Sequence, residues 1–157
     1  MIYRLRIILD TKQDVLRDIE IKSVNTFEDL HFAIINAFEF EGNEMASFYL
    51  SDSEWKQGEE LTFESFGQEK VMKDHVLNTI INEVQKNFIY VYDFLSLWTF
   101  FVEVVETNNE NNSSDYPQTI FSIGKIPNKA PEKLFIEDKN DEYFEDNFEE
   151  EDPYGLY

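Results

Sequence analysis

Cysteine is absent from this sequence of 157 residues, and glycine (5) and proline (4) are scarce. Without cysteine the chain can form no disulfide and no thiolate-ligated zinc or iron–sulfur site, and it has no thiol nucleophile. The glycines are too dispersed for a phosphate-binding loop or a dinucleotide fingerprint, and no G-x-S-x-G nucleophile elbow is present. These absences remove several large classes of enzyme.

Basic residues are also scarce, because 13 Lys and Arg stand against 33 Asp and Glu and give a formal net charge of −20. Residues 137–152 alone hold ten acidic residues and one lysine. Nucleic-acid binding depends on basic side chains that neutralise phosphates, so the composition argues against direct nucleic-acid binding. The charge favours a basic protein as a partner, while the alternative is that acidity only keeps an aromatic-rich chain soluble and monomeric.

Long apolar runs are missing as well. The longest, residues 94–102, has nine residues and includes Ser96 and Thr99. A helix needs about 20 apolar residues to cross a bilayer. Arg4 and Arg6 interrupt the apolar stretch at the N-terminus, which therefore lacks the core of a signal peptide. We predict a cytoplasmic protein that makes no contact with a membrane.

Aromatic side chains are abundant, with 15 Phe, 8 Tyr and 2 Trp. Because apolar residues make up 42% of the sequence, a chain of this length can bury a sizeable core and fold by itself. We expect one domain over residues 1–130 and an acidic, aromatic C-terminal extension over residues 131–157.

The hydrophobic periodicity predicts an α+β fold. A period of two, typical of strands, marks residues 2–9, 17–22, 46–50, 87–94, 98–106 and 118–123. Helical spacing marks residues 26–40, which open with a T-x-x-D capping box, and a shorter stretch at 74–84. We expect an antiparallel or mixed sheet of about five or six strands on one main helix and a shorter one, in a roll or β-grasp-like arrangement with an acidic C-terminal tail.

Four motifs together carry a family resemblance: the YRLRIIL strand, the DLH core of the first helix, the aromatic Y-D-F-x-x-x-W pair over residues 92–98, and Tyr116 with Pro117. In this combination the chain resembles the plasmid pRiA4b ORF-3-like family over residues 2–127. The family is uncharacterised, so the resemblance implies a fold and no reaction, although some members are labelled insertion-element or plasmid passengers. The chain departs from the family in the turn after Y-D-F, where Leu95, Ser96 and Leu97 replace the usual Gly and Asp.

Few residues are candidates for chemistry. Asp93 lies within an apolar strand, so we expect it either at an edge facing solvent or buried with Arg4, Arg6 or a backbone N–H. His31 and His75 fit no zinc-binding motif, and we expect a partly exposed polar contact for each. We therefore assign no catalytic residue, no cofactor-binding residue and no metal ligand.

Five residues are candidates for binding a partner. In the tail, aromatic side chains alternate with acids, a composition typical of a segment that docks on a basic, apolar groove, although such residues can also pack back on the domain or stay solvated. The candidates are Asp93, Trp98, Tyr143, Phe144 and Phe148.

Three functions stay open at this point. The first is a non-enzymatic interaction module that binds a protein partner, with a basic partner favoured. The second is an acidic mimic of DNA that acts on a DNA-binding protein, which requires carboxylates spaced along one surface. The third is an enzyme that uses carboxylates, with or without a divalent metal, and it requires a concave pocket containing Asp93 or His31 with a shifted pKa. The oligomeric state is not determined by these patterns.

Overall fold

The computed structural model of the chain describes residues 1–65, 67 and 69–131, in which seven strands form one sheet. The elements are β1 (Ile2–Leu9), β2 (Leu16–Lys22), α1 (Phe27–Ala37), β3 (Ala46–Ser51), β4 (Glu60–Thr62), β5 (Asn87–Tyr92), β6 (Trp98–Asn108) and β7 (Gln118–Ile123). The strand order is β4-β3-β5-β6-β1-β2-β7, and every neighbouring pair is antiparallel. The α+β class is confirmed. The sheet has seven strands, whereas five or six were expected.

The helix α1 begins where its capping box predicts. The Thr26 hydroxyl accepts a hydrogen bond from the backbone N–H of Asp29 (3.1 Å), and the Asp29 carboxylate accepts one from the N–H of Thr26 (2.9 Å). The helix ends at Ala37 rather than residue 40, because Glu39 takes a left-handed φ of 60°. This turn directs Phe40 onto the ring of Tyr92, 4.6 Å away between centroids.

The prediction of a second helix over residues 74–84 is wrong. Two short 3₁₀ helices lie in this region instead, Met72–Asp74 and Leu77–Thr79. Their backbone groups bond to distant segments, since the N–H of Leu77 donates to Asn25 O (2.8 Å) and the N–H of Asn78 donates to Ser23 O (3.1 Å). The bond from Asn78 takes a donor that an α-helix over residues 74–84 would use internally.

The core lies between α1 and one face of the sheet. From the alternation and the helical spacing we expect twelve apolar residues in the core, and all twelve are buried: Leu5, Ile7, Ile19, Ile21, Leu30, Ile34, Phe38, Tyr90, Tyr92, Trp98, Phe100 and Val102. Aromatic rings fill its centre, and Phe27 makes edge contacts with Phe48 and Phe88, each at 5.4 Å between centroids.

Within the described residues, no helix has the length and hydrophobicity needed to cross a bilayer. The domain boundary and the cellular compartment stay predictions.

Candidate interaction surfaces: the Trp98 cleft and the β7 edge

Asp93 organises the loop between β5 and β6. It adopts a left-handed φ of 65°, and its Oδ1 accepts hydrogen bonds from the backbone N–H groups of Leu95 (3.2 Å) and Ser96 (3.4 Å). Leu97 takes a second left-handed φ of 60°. An aspartate tolerates this conformation better than most residues and bonds its own turn. Asp93 thus lies in the loop after β5 and not within a strand, and it is half-buried. Its partners are the backbone N–H groups of its own turn, while Arg4 and Arg6 bind Asp18.

Trp98 lies at the other end of this loop, in a cleft of about 550 Å³. The cleft is bounded by the C-terminal end of α1, the start of β6 and residues 124–128. The Trp98 ring is 5.1 Å from the ring of Phe40, which in turn stacks on Tyr92. A second cavity of about 310 Å³ shares Trp98 and Asn128 with the first. We call the two adjoining cavities the Trp98 cleft.

Basic side chains are concentrated at the Trp98 cleft. Arg17, Lys125 and Lys129 line it, and Glu39 is its one acidic residue. Residues 1–131 as a whole carry 22 acidic and 11 basic residues. The cleft is therefore locally positive on a strongly negative protein.

Arg17 fastens the wall of the cleft. Its guanidinium donates to the carbonyl oxygens of Leu16 (2.8 Å), Ile123 (2.8 Å), Gly124 (3.1 Å) and Ala37 (3.3 Å). One side chain thus joins the end of α1 to the end of β7, and burial lowers its pKa. The sequence carried one signal for this role, because Arg17 shares the alternation phase of the buried isoleucines of β2.

Gly124 turns the chain from β7 into the wall of the cleft. It has a φ of +80°, and a Cβ at this position would overlap the main-chain oxygen of Asp14. Only glycine accepts both the left-handed backbone and this close approach.

The two edges of the sheet are built differently. Within the described residues, β7 pairs with β2 on one side and its other side is open. Its six residues, QTIFSI, carry no charge, and Ile120, Phe121 and Ile123 are 39%, 43% and 39% exposed. At the opposite edge β4 has three residues, and the chain returns over it so that Thr62 bridges to Val71. Edge strands are usually protected by charge, proline or a covering segment, and β7 has none of these among the described residues.

The arginines of β1 bind a buried carboxylate on the face of the sheet opposite α1. Arg4 donates to Asp18 Oδ2 from Nε (3.0 Å) and Nη2 (2.6 Å), and Arg6 donates from Nε to Oδ1 and from Nη2 to Oδ2, both at 2.9 Å. Burial opposes ionisation of Asp18, but the hydrogen bonds from Arg6 and Arg4 outweigh it and hold its pKa below the usual value. The sequence pattern grouped Asp18 with solvent-facing residues and gave no sign that it is fully buried.

His31 is fully buried, so the prediction of a partly exposed contact is wrong for it. Its Nδ1 lies 2.7 Å from the hydroxyl of Tyr90, and its Nε2 has no hydrogen-bond partner among the described residues. The ring packs against Phe63 at 4.5 Å between centroids. Burial lowers the pKa of His31 to about 4, so the imidazole is neutral at pH 7. His75 is partly buried, with Nδ1 2.9 Å from the oxygen of Val71, as predicted.

A third cavity, of about 710 Å³, lies near the N-terminal end of α1 and is mainly acidic, with Glu28, Glu64, Glu69 and Asp74 in its lining. Neither Asp93 nor His31 lines this cavity or the Trp98 cleft. In the part of the chain that is described, no three His, Asp or Glu side chains are placed to hold a metal ion.

Of the five predicted partner-binding residues, Asp93 and Trp98 are brought to the two ends of one loop. Tyr143, Phe144 and Phe148 lie outside the described residues. Sequence reasoning predicted a strand at residues 118–123 but missed its position at an open edge, because edge position depends on strand order.

An antiparallel sheet of seven strands carrying one α-helix is the class of fold that the described residues define. The chain belongs to the plasmid pRiA4b ORF-3-like protein family, whose sequence profile matches residues 1–132. This confirms the resemblance found in the motifs.

A solved structure shares the fold. It is that of MM3350, a protein of unknown function from Methanosarcina mazei Go1, with a TM-score of 0.68 and 20% sequence identity over 77% of this chain and 68% of that chain. A comparison with curated proteins finds no match to the sequence.

Proposed function

We propose that this protein is a non-enzymatic interaction module that binds a protein partner, and the open edge of β7 is the observation that carries the proposal. An edge strand offers unpaired N–H and C=O groups to another extended chain. On β7 these groups are accompanied by three partly exposed apolar side chains, Ile120, Phe121 and Ile123. Backbone pairing supplies affinity in this mode of binding, and side-chain contacts supply selectivity.

Charge supports a basic partner. The chain has a formal net charge of −20, and the strand itself is uncharged, so pairing there places no like charges in contact. Electrostatic complementarity around an apolar contact raises the rate of association and rejects acidic competitors. We therefore expect binding to weaken as the salt concentration rises.

The test is capture of partners from a lysate of the source cell at low and high salt, with three baits. The baits are the full chain, Phe121→Lys and Val84→Lys. Phe121 is 43% exposed on the open edge, and Val84 is 93% exposed in a turn away from the edge, so both variants add one charge at an exposed apolar site. A thermal unfolding curve for each bait shows that the fold is kept.

We expect a partner that the full chain and Val84→Lys both retain at low salt and that Phe121→Lys loses. Equal capture by all three baits contradicts the role of the β7 edge. Release of captured DNA-binding proteins by added DNA favours the mimic of DNA over the proposed module.

A further inference from the structure

We propose that the acidic, aromatic residues 132–157 of this chain bind in its own Trp98 cleft. The sequence of this segment is that of a ligand for a basic, apolar groove, and the Trp98 cleft is such a groove on the same molecule. Three independent properties support the match: charge, aromatic surface and tethering.

The charges of the two parts are complementary. Residues 132–157 carry 11 acidic and 2 basic residues, whereas the cleft presents Arg17, Lys125 and Lys129 against Glu39. Among the described residues, neither lysine has a carboxylate within ion-pair distance. Arg17 donates to carbonyl oxygens and makes no described ion pair, and the carboxylate of Glu39 acts on its charge only through space. Carboxylates entering the cleft therefore meet cations without breaking a described ion pair.

Aromatic surface supplies the apolar part of the contact. Three rings line the cleft: Phe40 is half-buried, whereas Trp98 and Phe38 are 8% and 1% exposed, so Phe40 and the exposed edge of Trp98 form the apolar surface. The aromatic residues of the segment are Phe135, Tyr143, Phe144, Phe148, Tyr154 and Tyr157. Offset and edge contacts between such rings add to the free energy gained by burial.

The tether makes the contact intramolecular. Ala130 lines the cleft, so the acidic segment, which begins at residue 132, starts two positions after a residue of the cleft wall. A stretch of 12 residues spans at most about 40 Å, which is enough for Tyr143 or Phe144 to return to the cleft. A short covalent link also raises the effective concentration of the segment to the order of millimolar, so even a weak contact is populated.

Binding of this kind would regulate the module. A basic partner and the basic cleft would compete for the same carboxylates, and the cleft would hold the segment until the partner arrives. This consequence rests on the proposed function, whereas the contact itself does not.

The test places one nitroxide spin label in the segment of the full chain and follows the two tryptophan indole N–H signals by NMR. Because the chain has no cysteine, Asn147→Cys gives a single labelling site that removes no charge. Trp98 lines the cleft. Trp55 contacts Phe101 on the other face of the sheet, so the Trp55 signal is the internal control. At low salt we expect the Trp98 signal to lose most of its intensity relative to the reduced, diamagnetic sample, and the Trp55 signal to keep it.

Charge reversal in the cleft provides the matched comparison. Lys125→Glu with Lys129→Glu should restore the Trp98 signal, and high salt should do the same. Lys73→Glu with Lys86→Glu makes the same change of charge at two other exposed lysines and should leave the broadening in place. Amide spectra of each variant verify that the fold is kept.

Two outcomes overturn the proposal. One is equal attenuation, or equal retention, of the two indole signals in the full chain at low salt. The other is broadening of Trp98 only when labelled chains are mixed with isotope-enriched chains that carry no label, which assigns the segment to the cleft of a second copy. Neither outcome bears on capture of a partner at β7, so the two proposals fail separately.

Discussion

The two halves of the sheet each bury a polar side chain, but they hold it in opposite charge states. Under α1, next to β5, His31 is surrounded by aromatic rings and bonds to Tyr90, and burial lowers its pKa to about 4. On the far face of β1 and β2, Asp18 is buried as completely, yet two arginines keep it ionised. Burial alone does not decide the state of a polar group, because desolvation acts against the charged form and partners act for it.

The outer edges of these two halves of the sheet also differ. The half that contains β3, β4 and β5 is packed with aromatic rings and ends in a covered edge. The half that contains β1, β2 and β7 buries aliphatic side chains under α1, adds an ionic cluster on its other face and ends in the exposed, uncharged β7. The difference suggests that one half mainly supplies stability and the other presents a surface for binding.

The same substitution in the two halves should separate these roles most strongly. Phe48→Ala removes a fully buried ring that contacts Phe27 and Tyr90, and it should lower the free energy of unfolding by about 4 kcal/mol. Phe121→Ala on the open edge should lower it by less than about 1 kcal/mol. Urea unfolding of both variants measures the two values, and equal losses would remove the distinction between the halves.

The ionic cluster gives the next largest effect. Asp18→Asn removes the buried anion shared by Arg4 and Arg6 and leaves them only the more distant carboxylates of Glu106 and Glu103, so it should lower the free energy of unfolding by about 3 kcal/mol. We place the value at the low end of the range for buried pairs because the arginine side chains are 28% and 37% exposed. Asp115→Asn, at an exposed position, is the matched control and should change stability by less than about 0.5 kcal/mol. A similar loss for both variants would show that the cluster contributes little.

The buried histidine should produce a loss of stability in mild acid. The pKa of His31 is about 4 in the folded protein, against an ordinary value of 6.5, so as the pH falls the unfolded chain takes up the proton first. Its contribution is therefore complete above pH 6.5 and decreases towards pH 4, by about 3 kcal/mol at most. Urea unfolding at several pH values, compared with His31→Gln, should show a shallower dependence over this range in the variant. An NMR titration of His31 that gives an ordinary midpoint would contradict the assignment.

Replacing the guanidinium of Arg17 should give the smallest loss of stability among these predictions. Arg17→Lys keeps the charge but cannot donate to four carbonyl oxygens at once, so it should lower the free energy of unfolding by about 1 to 2 kcal/mol. Amide exchange should accelerate first in residues 118–128, where two of these oxygens lie. A uniform change across the sheet would show that Arg17 does not fasten the end of β7 to α1.

Local patterns in the sequence were enough to predict much of the fold. The T-x-x-D box located the start of α1, because capping is settled within four residues, and alternation located most strands. The segment at residues 74–84 defeated the same reasoning, since its backbone bonds to residues 23–27 and no local pattern encodes those partners. The pattern of residues 59–67 predicts neither a helix nor a strand, because β4 has only three residues.

The candidate surfaces were less predictable, because they depend on which strands become neighbours. The alternation of β2 groups Asp18 with exposed residues, whereas pairing of β1 with β2 brings Arg4 and Arg6 onto its carboxylate. The structure places Trp98 in the wall of a cleft, which the sequence did not predict, and its role in binding a partner stays a prediction. The partner-binding roles of Tyr143, Phe144 and Phe148 also stay predictions.

The central claim is that β7 is the surface at which a partner binds, and amide hydrogen exchange tests it most directly. The measurement compares the full chain alone with the full chain bound to the partner that the capture experiment identifies. Pairing of a new strand should slow exchange in residues 118–123, because no strand of residues 1–131 covers the outer side of β7. Protection confined to other parts of the sheet, with residues 118–123 unchanged, would contradict the account.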